Sequence, residues 1–219
     1  MLKRERIFWK PVFLMILLSL ILHCAVYTAR QSLLQQGIAD QVLRFHVLAN
    51  SDSEEDQRVK YLVRDEVMQW MRETLEKEGT EKSGSSADTD FGRSEMMAFL
   101  SDHQNELTKK ANEVLIEQGM PYRAAAVLET CWFPERTYGS CTFPAGCYEA
   151  MRLKLGKAEG KNWWCLLYPR LCFHDCVHAV AEDEQLAELE GILTESEYEA
   201  LMKQPGGWKI RFRWFSIFD

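Results

Sequence analysis

The chain has 219 residues, with 33 Asp and Glu against 26 Lys and Arg and a formal net charge of −7 at pH 7. Residues 1–10 carry +3 and residues 11–29 carry no charge, which leaves −10 on residues 30–219. An acidic body of this size is large enough to bury one core and is a poor partner for nucleic acid, so no nucleic-acid role is expected.

Residues 11–29 contain no Asp, Glu, Lys or Arg. A helix of that length spans a bilayer, which takes ~20 residues, and Lys3, Arg4, Arg6 and Lys10 hold its start on the cytoplasmic side. The same pattern fits a secretory signal peptide. Small residues are missing where cleavage wants them: Tyr27 stands two before Ala29, and His23 stands two before Ala25 and directly before Cys24. Residues 1–29 are therefore read as a signal peptide or membrane anchor, with membrane contact through residues 11–29. Everything after them is exported, and residues 30–40 are read as a linker.

From Gln41 to Ala49 the chain alternates, which predicts a half-buried strand. Leu43, Phe45, Val47 and Ala49 face the core, and Val42, Arg44, His46 and Leu48 face the other way. Asn50-Ser-Asp-Ser53 stops the strand and opens a helix, capped by Ser51 with Glu54 or by Ser53 with Asp56. Glu54, Glu55 and Asp56 suit its positive end. Val59, Leu62, Val63, Val67, Trp70, Met71 and Leu75 recur at helical spacing to about residue 78. A flexible loop is predicted over 79–92. A second helix follows from Ser94 to Gln118, ended by Gly119 and Pro121.

Three strands follow, over Tyr122–Phe133, Cys147–Leu155 and Trp163–Tyr168, with residues 156–162 joining the last two as a hairpin. Neighbouring side chains of a strand point to opposite faces, so Trp163 and Trp164 cover both sides of theirs. A turn at Tyr168-Pro169 would bring Cys165 opposite Cys172, within reach of a disulfide. Cys131, Cys141, Cys147 and Cys176 complete an even set outside the apolar segment, which permits full pairing. Residues 176–204 form an acidic helical appendage, with helices over 182–193 and 195–203 and Thr194 capping the second with Glu197. After Pro205-Gly-Gly207, residues 208–219 alternate aromatic or aliphatic with basic side chains. That pattern fits an edge strand or a segment lying on an anionic membrane.

No catalytic constellation is assembled by spacing. Cys172, His174, Cys176 and His178 are each two apart, but one regular strand cannot wrap four ligands tetrahedrally around zinc. No metal or other cofactor is expected. A Cys172–His174 pair would diverge on a strand, and Arg44, His46 and Asp52 read more simply as the polar end of a strand than as an active-site rim. No Walker A sequence and no Gly-x-Gly-x-x-Gly is present.

Several segments together resemble the stage II sporulation protein R family of endospore-forming Gram-positive bacteria. They are Leu43-Arg-Phe-His-Val-Leu-Ala-Asn-Ser-Asp-Ser-Glu-Glu-Asp-Gln57, Lys60 to Asp65, Phe143-Pro-Ala-Gly-Cys-Tyr-Glu-Ala-Met-Arg-Leu153, Gly156, Gly160, and Asn162-Trp-Trp-Cys165 through Leu171-Cys-Phe173. They cover about residues 41–175. Here Tyr168-Pro169-Arg170 replaces the family's usual Phe-Pro-Pro. The resemblance implies a signal and not an enzyme. It would be made in the forespore and exported to the space between the two septal membranes. There it would activate a membrane-embedded aspartic protease of the mother cell, which removes the pro-sequence of sigma E. The fold expected is α+β, with a small, mostly antiparallel sheet and packed helices over residues 41–175. The partner surface expected is Asn162, Trp163, Trp164 and the Pro169 turn, with Asn50, Ser51, Asp52 and Asp56 beside it. An envelope Cys/His hydrolase and a structural septum protein are the alternatives.

Overall fold

The computed structural model describes residues 2–83, 92–169 and 183–202. The first helix, α1, runs from Leu2 to Gln41 without a break. Residues 30–40 are thus helix and not a linker. They contain no Pro, and Ile38 and Ala39, with Val42 just beyond, are buried in the body of the protein. Tertiary packing extends the helix past the point where the apolar run stops. The part of α1 from Pro11 onward contains a stretch of mean hydropathy 2.3, long and apolar enough to cross a membrane. This is compatible with a signal segment or an anchor.

Five more helices and six strands follow among the described residues. They are β1 (Leu43–Leu48), α2 (Glu54–Ser83), α3 (Arg93–Asp102), α4 (Gln104–Glu117), β2 (Ala124–Phe133), β3 (Arg136–Tyr138), β4 (Cys141–Phe143), β5 (Gly146–Leu155), β6 (Asn162–Tyr168), α5 (Asp183–Ile192) and α6 (Glu195–Met202). The fold is α+β. Its main sheet has the order β2-β5-β1-β6, and β3 and β4 form a separate hairpin, which the sequence pattern did not reveal. β2 pairs antiparallel with β5 and β6 antiparallel with β1, while β1 and β5 run parallel. The sheet is therefore mostly antiparallel, but β5 and β6 are not a hairpin: β1 lies between them. The connection from Gly156 to Lys161 crosses the end of β1 instead.

Both faces of the sheet are covered. On the first, Phe45, Val47, Met151, Leu153 and Leu167 pack with Val63, Met71, Leu100 and Leu115 of α2, α3 and α4. On the second, Leu166 and Tyr148 join Ile38 and Val42 at the end of α1, Phe143 of the hairpin, and Leu189 and Leu201 of α5 and α6. β1 is consequently buried at every position, not half-buried as its charges suggest. The acidic helices are part of this second core and not an appendage. Thr194 and Glu197 do pair at the start of α6, with the Glu197 carboxylate accepting both the Thr194 N–H and its hydroxyl, at 2.8 and 2.7 Å.

Two local features explain how the helices sit. The predicted second helix is two, broken at His103, whose backbone leaves helical values (φ −101°, ψ 13°) while its imidazole meets the Phe99 carbonyl and Glu78. The apolar spacing continues across the break, so periodicity cannot report it. Second, α4 seals the sheet edge at β2. Gln104 and Asn112 donate to the carbonyls of Ala126 and Ala124, and Thr108 Oγ1 and Asn112 Oδ1 accept the N–H groups of Ala126 and Ala124, all within 3.0 Å. Edge groups that would otherwise pair with another chain are satisfied internally.

Candidate functional site

The two family-like blocks, residues 50–65 and 156–164, meet at one end of the sheet. Asn50-Ser-Asp-Ser53 leaves β1 and starts α2. Ser53 Oγ accepts the Asp56 N–H at 3.2 Å, which makes Ser53 the helix cap. The Asp56 carboxylate, 5% exposed, serves the turn itself. It accepts from Asn50 Nδ2 at 2.9 Å, Ser51 Oγ at 2.5 Å and the Tyr122 hydroxyl at 2.5 Å. Burial pushes this carboxyl upward, but those hydrogen bonds outweigh it and leave its pKa below the usual value. Burial and the Asp56 charge raise the Tyr122 phenol in turn.

The crossing loop is bonded to the same turn. The N–H of Gly160 donates to the Ala49 carbonyl at 2.9 Å and that of Glu159 to Asn50 at 3.3 Å. The N–H of Lys157 donates to Asn50 Oδ1 at 3.0 Å and that of Lys161 to Asp52 Oδ1 at 2.6 Å. Two glycines allow this approach. A Cβ on Gly160 would lie 2.9 Å from Ser51 Cα and closer still to the Ser51 carbonyl. Gly156 sits at φ +55°, where a Cβ would also strike the Asn50 side chain. Lys60, almost fully buried, donates to Gln57 Oε1 at 2.7 Å and to the Lys161 carbonyl at 3.1 Å. Burial, and then Arg64, lowers its pKa.

β6 carries the result outward. Trp163 meets Phe45 edge-on at 6.0 Å and lies 5.0 Å from the Arg64 guanidinium, which also sits over Tyr61. Trp164 is on the opposite face, stacked on His46 at 3.6 Å with Arg136 above it at 5.4 Å. The paired tryptophans thus cover both faces, as their adjacency predicts, and both remain half-buried. Asn162 and Asp52 are exposed, whereas Asn50, Ser51 and Asp56 turn their side chains inward and Pro169 is buried. The exposed ledge at this end of the sheet is accordingly Asp52, Asn162 and the outer parts of Trp163 and Tyr61, with Asn162 on the face of His46 and Trp164, and Trp163 on the other. Asn50, Ser51 and Asp56 act as its framework. Sequence reading missed Tyr122 in that framework, because nothing local ties a residue after α4 to the start of α2.

Behind Trp164, the second face holds two polar side chains of β1. Arg44 is fully buried, with its guanidinium 4.4 Å from the Phe133 ring and 4.7 Å from that of Tyr148, and it donates to the Tyr138 hydroxyl at 3.2 Å. No carboxylate pairs with it among the described residues, and ring faces supply the contact. His46, 3% exposed, has neither ring nitrogen hydrogen-bonded among the described residues. Burial first, and then the Arg152 charge, hold its pKa down to about 3, against an opposing contribution from Asn162. Arg44, His46 and Asp52 therefore do not form one rim: two lie inside the protein and one outside.

Cys131, Cys141 and Cys147 are free thiols, so the even set is not fully paired. Cys131 shares a face with Tyr148 and Cys147 with Trp132, so those two thiols stand on opposite sides of the sheet. Cys165 is fully buried in β6. Cys172, His174, Cys176 and His178, and residues 205–219, lie outside the described residues. No group of three or more His, Cys, Asp or Glu that could hold a metal occurs among the described residues.

The model of the stage II sporulation protein R family matches residues 39–178. Stage II sporulation protein R of Bacillus subtilis (strain 168) is 32% identical over 152 residues, 68% of this chain and 61% of that protein. The aligned part thus spans about three-fifths of the relative's length. No solved structure matches the chain. The matched region runs from the last turn of α1 through β6 and contains every residue of the ledge and its framework: the chain belongs to the stage II sporulation protein R family, which supports a role in sporulation.

Proposed function

We propose that this protein is an exported signalling ligand that activates a membrane-embedded aspartic protease during endospore formation, and through it the processing of pro-sigma E. On this reading it performs no catalysis. Residues 11–29 deliver it across the forespore membrane and stay in the bilayer as an anchor. Cys165 pairs with Cys172. The ledge of Asp52, Asn162 and Trp163 binds the extracytoplasmic part of the protease, favouring the active state by differential affinity for it.

One observation carries this reading. Two segments more than 100 residues apart in the chain, Asn50–Asp56 and Lys157–Trp163, are locked by backbone hydrogen bonds into a single ledge. Side chains of two polar residues, Asp52 and Asn162, and of two aromatics, Trp163 and Tyr61, reach solvent there beside a fixed backbone, the composition of a preorganised binding surface.

The test is pro-sigma E cleavage in sporulating cells. Asn162→Arg places a charged, bulky side chain on the ledge, and Glu117→Arg places the same side chain on exposed α4 as a control. Asn162→Arg should abolish most cleavage at normal protein level, and the control should process normally. Full processing by Asn162→Arg would remove the ledge from the mechanism.

A further inference from the structure

The sheet has a direction relative to α1. Contact with the body begins at Gln35, whose amide donates to the Cys147 carbonyl at 3.3 Å and whose side chain fills the space above Gly146. Gly37 abuts Glu197 of α6. One turn later, Ala39 and Asp40 border a cleft with Cys147, Tyr148 and Glu149. Arg44 then pairs with Ala150, and Leu48 with Lys154. The chain therefore advances in one sense, level by level along β5, from the last turns of α1 through β1. The Asn50–Ser53 turn and the Gly156–Lys161 loop lie at the end of the sheet farthest from the apolar segment.

The joint is also stiff. α1 is one helix through this region, and only Val42 separates it from β1. Between Ala29 and the first body contact at Gln35 there is roughly 8–9 Å of helix at ~1.5 Å per residue. The length of β5 adds about 30 Å at ~3.3 Å per residue.

We propose that the anchored protein stands upright on its bilayer, with the Cys147–Glu197 end as its base and the ledge as its membrane-distal tip. This rests on the reading that residues 11–29 remain in the membrane. The helical stalk fixes the height of the tip, and a flexible tether would not.

The experiment uses the full chain in lipid vesicles whose headgroups carry an energy-transfer acceptor. A donor dye is attached at the base through exposed Cys147, in protein with Cys24→Ala. In a second protein, with Cys24→Ala and Cys147→Ser, it is attached at the tip through Asn162→Cys, or through Lys157→Cys should the first fold poorly. Cys131→Ser and Cys176→Ser are present in both proteins, and Cys141, which is buried, is left in place. Transfer should be roughly twofold greater at the base, given about 23 Å along the sheet (~3.3 Å per residue) from Cys147 to the level of Lys154, Leu48 and Asn162. Equal transfer, or more at the tip, overturns the upright orientation. A six-residue Gly-Ser insert between Gln31 and Ser32 should shrink the difference between base and tip, and an unchanged difference overturns the role of the stalk. If alkaline carbonate strips the chain from the vesicles, the anchor reading itself falls, a failure that the distances do not mimic.

Discussion

Gly160 offers the sharpest test of how the ledge is built. Its backbone is not in the left-handed region, so the need for glycine is steric alone. In Gly160→Ala the new methyl meets the Ser51 backbone, with the nearest atoms inside van der Waals contact and Ser51 Cα at 2.9 Å. Neither side can yield by rotating a side chain, so the loop must lift. Overpacking of this kind costs about 1–3 kcal/mol. Lifting the loop also weakens the bonds from Glu159, Gly160 and Lys161 to the turn, each worth ~1 kcal/mol. The expected loss is about 2–4 kcal/mol, or roughly 10 °C in Tm for a chain of this size. Thermal unfolding of the full chain in detergent, followed by tryptophan fluorescence, measures it. Gly191→Ala is the control: it lies in α5 with nothing within 4 Å of the added Cβ, and should gain about 0.5 kcal/mol from helix propensity. A Gly160→Ala protein within about 0.5 kcal/mol of wild type would refute the argument that contact with Ser51 excludes a side chain, since it predicts several times that.

His46 should make stability depend on pH. Its folded pKa of about 3 lies below the ordinary 6.5, so the unfolded chain takes up the proton first. The stabilisation is complete above about pH 6.5 and is lost as pH falls toward 3. Between pH 7.5 and 5.5 the loss is about 1.4 kcal/mol. Denaturant titrations at the two pH values should show that difference in wild type and a flatter response in His46→Phe, and equal slopes would contradict the buried neutral imidazole. At the β2 edge, Asn112→Ala removes both bonds to Ala124. It should cost about 1–3 kcal/mol and increase self-association on light scattering. No loss of stability would mean that α4 does not seal that edge.

Several features were legible because they are local. The acid-rich start of α2, the Thr194–Glu197 pair and the opposite orientation of Trp163 and Trp164 follow from chemistry within a few residues. The alternation of Leu43–Leu48 was legible too, but its exposure was not: Arg44 and His46 read as solvent-facing and are buried among Phe133, Tyr148 and Trp164. A charged side chain reports the cost of burial, not the rings that come from elsewhere to cover it. Of the expected partner surface, Asn162, Trp163 and Asp52 reach solvent at least in part, while Asn50, Ser51 and Asp56 are taken up in holding the turn.

The amino-acid sequence by itself determined the apolar segment at residues 11–29, the α+β class and the family, because composition, period and short motifs survive without knowledge of contacts. Tertiary structure alone decided that β1 inserts between β5 and β6, that residues 30–40 continue α1, and that α5 and α6 complete a second core. Each depends on pairing or burial between segments far apart in the chain. The free energy of such contacts is set by geometry that no local window contains.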